Sequence, residues 1–118
     1  PLLAAAGKRM ARRVDPQALS SAPSDTRGRT VIFGFGRVGR VVADMLGEHG
    51  RAYLAVDGDI DCVAAAREQD YEVIFGDVAR GDAVERFGLC DAAAVVLTMD
   101  DPVLTVRLAR DIRRACPA

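Results

Sequence analysis

Three glycines, Gly34, Gly36 and Gly39, stand between an apolar run and a helical pattern, and they constrain the fold more than any other feature of the chain. The run Thr30–Phe33 is β-branched and aromatic, which is typical of a strand. After the glycines, apolar residues recur with helical spacing at Val38, Val41, Val42, Met45 and Leu46. In such a junction the first glycine allows a tight turn, the second lets a phosphate group approach the backbone, and the third lets the helix pack on the sheet. The motif therefore predicts a strand, a turn and a helix that opens an α/β fold.

The remainder of the domain alternates between strand and helix patterns. Strands are predicted at residues 52–56, 72–75 and 92–97, and helices at about 59–69, 82–87 and from 101 onward. Asp59 is predicted to cap the second helix and Asp100 or Asp101 the last one, which has Pro102 in its first turn. Strands separated by helices predict a parallel, doubly wound, Rossmann-like sheet in the order 3-2-1-4. The chain stops where another strand is expected, which predicts a fragment truncated before the last strands.

Length and charge limit the class of protein. The chain has 118 residues and a formal net charge of −1, so it is expected to form one domain with no general basic field for nucleic acid. Residues 1–30 carry six basic and two acidic groups, whereas residues 31–118 carry ten basic and fifteen acidic groups. We divide the chain into a basic leader and flexible linker at residues 1–28 and a domain at residues 29–118. The leader resembles the cytoplasmic end of a membrane helix, although a frayed N-terminal helix gives the same pattern.

The cysteines and the histidine suggest no chemistry. Cys62, Cys90 and Cys116 have no CxxC spacing, and no neighbouring histidine completes a zinc site, so we predict three reduced thiols and no metal. His49 is expected at the surface, near the end of the first helix. No Ser–His or Cys–His pair and no general base is apparent, so the sequence predicts no catalytic residue.

Acidic residues follow three of the predicted strands. Asp57 ends the second strand, 18 residues after Gly39, where an acid can accept hydrogen bonds from ribose hydroxyls and repel a 2′-phosphate. This favours NAD or an adenine nucleotide with a free ribose. Asp77 and Asp100 follow the third and fourth strands. Helix capping explains Asp77 equally well, and it explains Asp100 and Asp101 better than a ligand does. Gly76, Asp77 and Thr98 are candidates for the adenine side. Arg37 pairs with a phosphate, pairs with one of these acids, or is solvated.

Four motifs in order carry a resemblance to a known family. They are Gly34-Phe35-Gly36-Arg37-Val38-Gly39, Val56-Asp57-Gly58-Asp59, Phe75-Gly76-Asp77-Val78 and Thr98-Met99-Asp100-Asp101-Pro102. Together they resemble the RCK N-terminal domain, also called TrkA-N, and most closely the cytosolic domain of Kef-type potassium/proton antiporters. The resemblance covers residues 29–117.

The resemblance implies a regulatory domain that binds NAD(H) or AMP, is not an enzyme, and gates a transporter. It implies that the phosphate is held by Gly34, Gly36, Arg37, Val38 and Gly39, and that Asp57 holds the ribose with Asp59 beside it. Near the adenine it implies Gly76, Asp77, Val78 and Thr98, and Phe35 and Gly58 complete the implied cofactor-binding set. Val78 stands where the family usually has alanine, which narrows the base pocket. The implied partners are a membrane transporter domain, in the same or a partner chain, and a second copy in a homodimer. The implied location is the cytoplasmic face of the inner membrane.

Two other hypotheses stay open at this point. The chain also fits the cofactor-binding fragment of an NAD-dependent dehydrogenase, whose catalytic residue would lie in a longer polypeptide. Alternatively it keeps the fold without a ligand, although Gly36 and Asp57 are not required for packing alone.

Overall fold

Four parallel strands form one sheet in the order β3-β2-β1-β4, as the sequence predicts. The computed structural model describes residues 26–116. The strands are β1 (Thr30–Phe33), β2 (Tyr53–Asp57), β3 (Val73–Phe75) and β4 (Ala94–Leu97). In the register, Ile32 of β1 lies beside Ala55 of β2 and Val96 of β4. Because all strands run the same way, their carboxyl ends meet at one edge of the sheet.

Helices cover both faces of the sheet. They are α1 (Arg37–Glu48), α2 (Ile60–Glu68), α3 (Ala83–Arg86) and α4 (Pro102–Ala115), and short 3-10 turns occupy Val78–Arg80 and Leu89–Asp91. The helices α1 and α2 pack on one face, and α3 and α4 pack on the other. His49 follows α1 and is exposed, as predicted.

The alternation of side chains along β1 divides the core in two. Val31 and Phe33 join the cluster beneath α3 and α4, where the Phe33 ring meets the Phe87 ring edge to face at 5.8 Å. Ile32 points to the other cluster, beneath α1 and α2, which also contains Phe35. The near-continuous apolar sequence of these strands follows from burial on both faces.

The apolar stripe of α1 packs on the sheet only in part. Val42 and Leu46 contact the core, but Val38, Val41 and Met45 are 61%, 52% and 56% exposed. The residues of α1 that are fully buried are the small ones, Gly39 and Ala43. The helix therefore packs closely on the sheet through small residues, and three of the five residues of the predicted apolar stripe face outward.

The prediction of three reduced cysteines is wrong for two of them. A disulfide joins Cys90, in the second 3-10 turn, to Cys116 at the end of α4, and only Cys62 is a free thiol. The fold brings these residues, 26 positions apart, to a Cα–Cα distance of 5.1 Å, which suits a disulfide.

The start of the described chain is attached to the domain. Thr26 is buried, and its hydroxyl lies 2.8 Å from the carbonyl oxygen of Phe87 and 2.9 Å from that of Gly88. The predicted leader, residues 1–28, lies almost wholly outside the described residues. Within residues 26–116, no helix is long and apolar enough to cross a membrane.

Candidate functional site

The glycine loop between β1 and α1 depends on two positions that exclude a side chain. Gly34 has a φ of +98°, and a Cβ there would lie 2.9 Å from the Thr98 hydroxyl. A Cβ on Gly39 would overlap the carbonyl oxygen of Gly34. The Thr98 hydroxyl lies 2.7 Å from that same carbonyl, so β4 holds the loop in place. Two of the three glycines are thus required by packing, with or without a ligand.

Gly36 differs from both of them. Its φ is −85°, and a Cβ built there would meet nothing within 4 Å. It precedes α1, whose first turn has neither a side-chain cap nor an acidic residue. The first N–H groups and the positive end of the helix dipole therefore face open space, an arrangement that favours an anion. Arg37 is the first residue of this helix, and its side chain is exposed.

The Asp57 carboxylate joins the end of β2 to the loop. One oxygen accepts a hydrogen bond from the Phe35 N–H at 2.7 Å, and the other accepts one from the Asp59 N–H at 2.8 Å. Each carboxylate oxygen can accept more than one hydrogen bond, so both can still receive ribose hydroxyls. The sequence predicted a ribose ligand here, but it gave no sign that Asp57 also positions the backbone of the glycine loop.

Three other acidic residues cap helical segments. Asp59 accepts hydrogen bonds from Asp61 N–H and Cys62 N–H at the start of α2, as the sequence predicts. Asp77 accepts one from Ala79 N–H in the first 3-10 turn. At the start of α4, Asp101 rather than Asp100 is the cap, with the Val103 N–H at 2.9 Å. All three helices or turns that follow β2, β3 and β4 thus begin at a capping carboxylate, whereas α1 begins without one.

A crevice of about 760 Å³ opens at the carboxyl ends of the strands. The structure brings twelve of the predicted site residues to its wall: Gly34, Phe35, Gly36, Arg37, Val38, Asp57, Gly58, Asp59, Gly76, Asp77, Val78 and Thr98. Gly39 is buried behind it, against Gly34. Gly76 has no room for a side chain, because a Cβ there would lie 2.7 Å from the Phe87 ring.

Sequence reasoning missed Cys62, Met99 and Leu104, which also line the crevice. Burial, and then the carboxylates of Asp57 and Asp59, raises the pKa of the Cys62 thiol. The protonated thiol donates to the Phe35 carbonyl oxygen at 3.3 Å. A weak signal for Cys62 existed, since it follows the predicted cap Asp59 by three residues and so lies in the first turn of α2. Across residues 26–116, no cluster of histidine, cysteine and carboxylate side chains could hold a metal ion.

Comparison with known proteins confirms the predicted resemblance to the TrkA-N domain. The family model of the TrkA-N domain matches residues 30–118. K(+) efflux antiporter 2, chloroplastic, from Arabidopsis thaliana is 33% identical over 86% of this chain, and the match covers 9% of the antiporter. The glutathione-regulated potassium-efflux system protein KefC of Klebsiella pneumoniae is 30% identical over 75% of this chain and 14% of its own length. The chain thus spans a small part of the curated relatives it matches.

The matched region contains the whole crevice, from the glycine loop after β1 to the cap of α4. It also includes all four strands of the sheet and Asp57 at the end of β2. By fold, by motif and by family model, the chain belongs to the TrkA-N domain family.

Proposed function

We propose that the chain is the nucleotide-sensing, non-enzymatic domain of a potassium/proton transporter, with NAD(H) or an AMP-type nucleotide as its ligand. The observation that carries the proposal is the uncapped start of α1 at Gly36, in the same crevice as the Asp57 carboxylate. An anion site and a paired set of ribose acceptors at one sheet edge are the two features that a nucleotide with a free ribose needs.

In the proposed complex, the backbone N–H groups after Gly36 hold the phosphate and Arg37 adds a positive charge. Asp57 accepts hydrogen bonds from the ribose hydroxyls, and its negative charge repels a 2′-phosphate, so NADPH binds weakly. Val78 and Thr98 lie on the wall where the base would sit. Thr98 also holds the glycine loop, since its hydroxyl donates a hydrogen bond to the Gly34 carbonyl oxygen.

Regulation requires that the nucleotide bind two states of the domain unequally. The proposed states are two arrangements of a paired domain on the cytoplasmic side of a membrane transporter. Support comes from the relatives, which are named as potassium-efflux proteins, and from their length, of which this domain is a small part. The size of the regulatory effect is limited by the difference in nucleotide affinity between the two arrangements.

Titration calorimetry with NADH, NAD⁺, AMP and NADPH tests the ligand. We expect NAD(H) or AMP to bind and NADPH to bind at least tenfold more weakly, because its 2′-phosphate is repelled by the Asp57 carboxylate; tenfold corresponds to about 1.4 kcal/mol. Asp57→Asn should weaken binding by a similar factor. The matched control is Asp61→Asn, which removes an exposed carboxylate in the first turn of α2, away from the crevice wall. Equal affinities in the two variants would contradict the ribose assignment.

The dehydrogenase hypothesis predicts a different polypeptide. A transporter subunit places membrane helices in the chain or in its partner, whereas a dehydrogenase places a substrate domain with a catalytic residue beside the nicotinamide. The length and domain content of the native polypeptide therefore distinguish the transporter hypothesis from the dehydrogenase hypothesis without any activity assay.

A further inference from the structure

The last helix differs in charge from the rest of the described chain. Helix α4 carries four arginines and one aspartate, whereas residues 26–101 carry fourteen carboxylates and eight arginines. None of the four arginines of α4 forms an ion pair with residues 26–116. The helix is therefore a basic strip on an acidic domain, and no ion pair within the described residues neutralises its arginines.

The arginines and two valines share the outer side of α4. We call the set Val103, Val106, Arg107, Arg110 and Arg114 the arginine face; all five are exposed, and Val103 and Val106 are 67% and 51% exposed. Half-buried Asp111 lies at its border. Positions 103, 107, 110 and 114 follow the helical repeat, so they form one line along the helix.

The opposite side of α4 is fixed to the domain. Leu108 is 3% exposed and packs in the core beneath α3 and α4, with half-buried Ile112 beside it. The disulfide from Cys116 to Cys90 holds the end of the helix. The arginine face is thus held outward by packing on one side and by a covalent bond at one end, and a large flat surface can meet it without rearrangement of the domain.

We propose that the arginine face is a docking surface for the anionic headgroups of a lipid bilayer. Clustered arginines on an exposed surface are attracted to the anionic headgroups of a bilayer. The exposed Val103 and Val106 beside them add apolar contact at the headgroup boundary. The acidic remainder of the domain is repelled by the same bilayer, which leaves α4 as the side that turns toward it.

A second copy of the chain fits this face less well. A two-fold contact through α4 would place the arginine face of one copy against that of the other, and a head-to-tail contact closes only if the rotation between copies forms a ring. The choice of a bilayer as the occupant rests on the proposed function, which places the domain beside a membrane transporter. The surface itself does not depend on nucleotide binding.

Vesicle co-sedimentation of the 118-residue chain tests the proposal. The chain is mixed with vesicles of phosphatidylcholine alone or with about a third of phosphatidylglycerol. The variant Arg107→Gln/Arg110→Gln is compared with Arg40→Gln/Arg51→Gln, which removes the same charge from exposed positions outside α4. The leader is identical in both proteins, so its basic residues contribute equally. Thermal unfolding of both variants checks that they fold.

We expect binding to the anionic vesicles alone, weakened by salt, with a loss of about tenfold or more in the α4 variant and a much smaller loss in the control. Equal losses in the two variants, or no binding to anionic vesicles at low salt, would overturn the proposal. Binding of soluble polyglutamate without binding of vesicles would also overturn it, in favour of an acidic protein segment.

Calorimetry with AMP and NADH on the same proteins separates the two proposals. Nucleotide affinity should be unchanged in the α4 variant, because its substitutions lie outside the crevice. Vesicle binding without nucleotide binding would leave the docking surface standing and refute the nucleotide ligand. Nucleotide binding without vesicle binding would refute the docking surface and leave the nucleotide ligand standing.

Discussion

At the scale of single residues, the glycine loop separates structural glycines from a glycine whose role needs a ligand. Gly34 and Gly39 exclude side chains by contact with Thr98 and with each other, whereas Gly36 has open space where a Cβ would be. Packing explains the first two glycines completely. It does not explain Gly36, because no neighbouring atom excludes a side chain at this position.

Gly36→Ala should therefore fold and fail to bind. Glycine is preferred to alanine at an N-cap, so we expect the free energy of unfolding to fall by no more than about 1 kcal/mol. We expect a loss of nucleotide affinity of tenfold or more, because the methyl group enters the space of the phosphate. Calorimetry and thermal unfolding measure the two effects. The control is Gly47→Ala in α1, where a Cβ also meets nothing within 4 Å. It should leave affinity unchanged and stabilise the domain by up to about 1 kcal/mol. Normal binding by Gly36→Ala would remove the phosphate assignment.

At the scale of elements, α4 is attached to the domain by a short apolar contact and a covalent bond. Leu108 is its one residue in the buried core, and Cys116 closes a loop of 26 residues back to Cys90. A cross-link over a loop of this length contributes about 3–4 kcal/mol by restricting the unfolded chain. The disulfide is therefore expected to supply a large share of the stability of this small domain.

Reduction of the disulfide should lower the free energy of unfolding by about 3–4 kcal/mol. Urea unfolding, with and without a phosphine reductant, measures the difference as a lower midpoint. Cys90→Ser should start at the lower midpoint and show no further response to the reductant. The Cys62→Ser protein should keep the full response, since Cys62 is not part of the bond. A midpoint that the reductant leaves unchanged would contradict this contribution.

The elements also show where sequence patterns are informative. The pattern predicted β1 at its observed bounds, because a β-branched run followed by a glycine motif has a single local interpretation. It began β4 two residues early, since Ala92 pairs with Arg27 in an isolated bridge instead of joining the strand. It could not give the Cys90–Cys116 bond, because a spacing of 26 residues carries no information about distance in the fold. It also could not predict the hydrogen bond from the Phe35 N–H to the Asp57 carboxylate, because this bond depends on how the end of β2 lies against the glycine loop.

At the scale of the whole molecule, both ends of the described chain are attached to one segment, residues 87–92. Thr26 contacts the carbonyl oxygens of Phe87 and Gly88, and the Gly28 N–H donates to the carbonyl oxygen of Asp91. From the other end, Cys116 is bonded to Cys90. These contacts join residues more than 60 positions apart at the start of the described chain and 26 apart at its end, so both ends are attached to the same segment of the domain.

Thr26→Val tests this closure at the start of the chain. Valine keeps the shape but leaves buried carbonyl oxygens without the hydroxyl, so we expect a loss of about 1–3 kcal/mol in the free energy of unfolding. The matched control is Thr105→Val in α4, whose hydroxyl donates to the Asp101 carbonyl oxygen of its own helix and should change stability by less than about 0.5 kcal/mol. Urea unfolding of both variants gives the comparison. Equal stability would mean that the segment before β1 is not part of the cooperative domain, and the domain would then be closed only through Cys116.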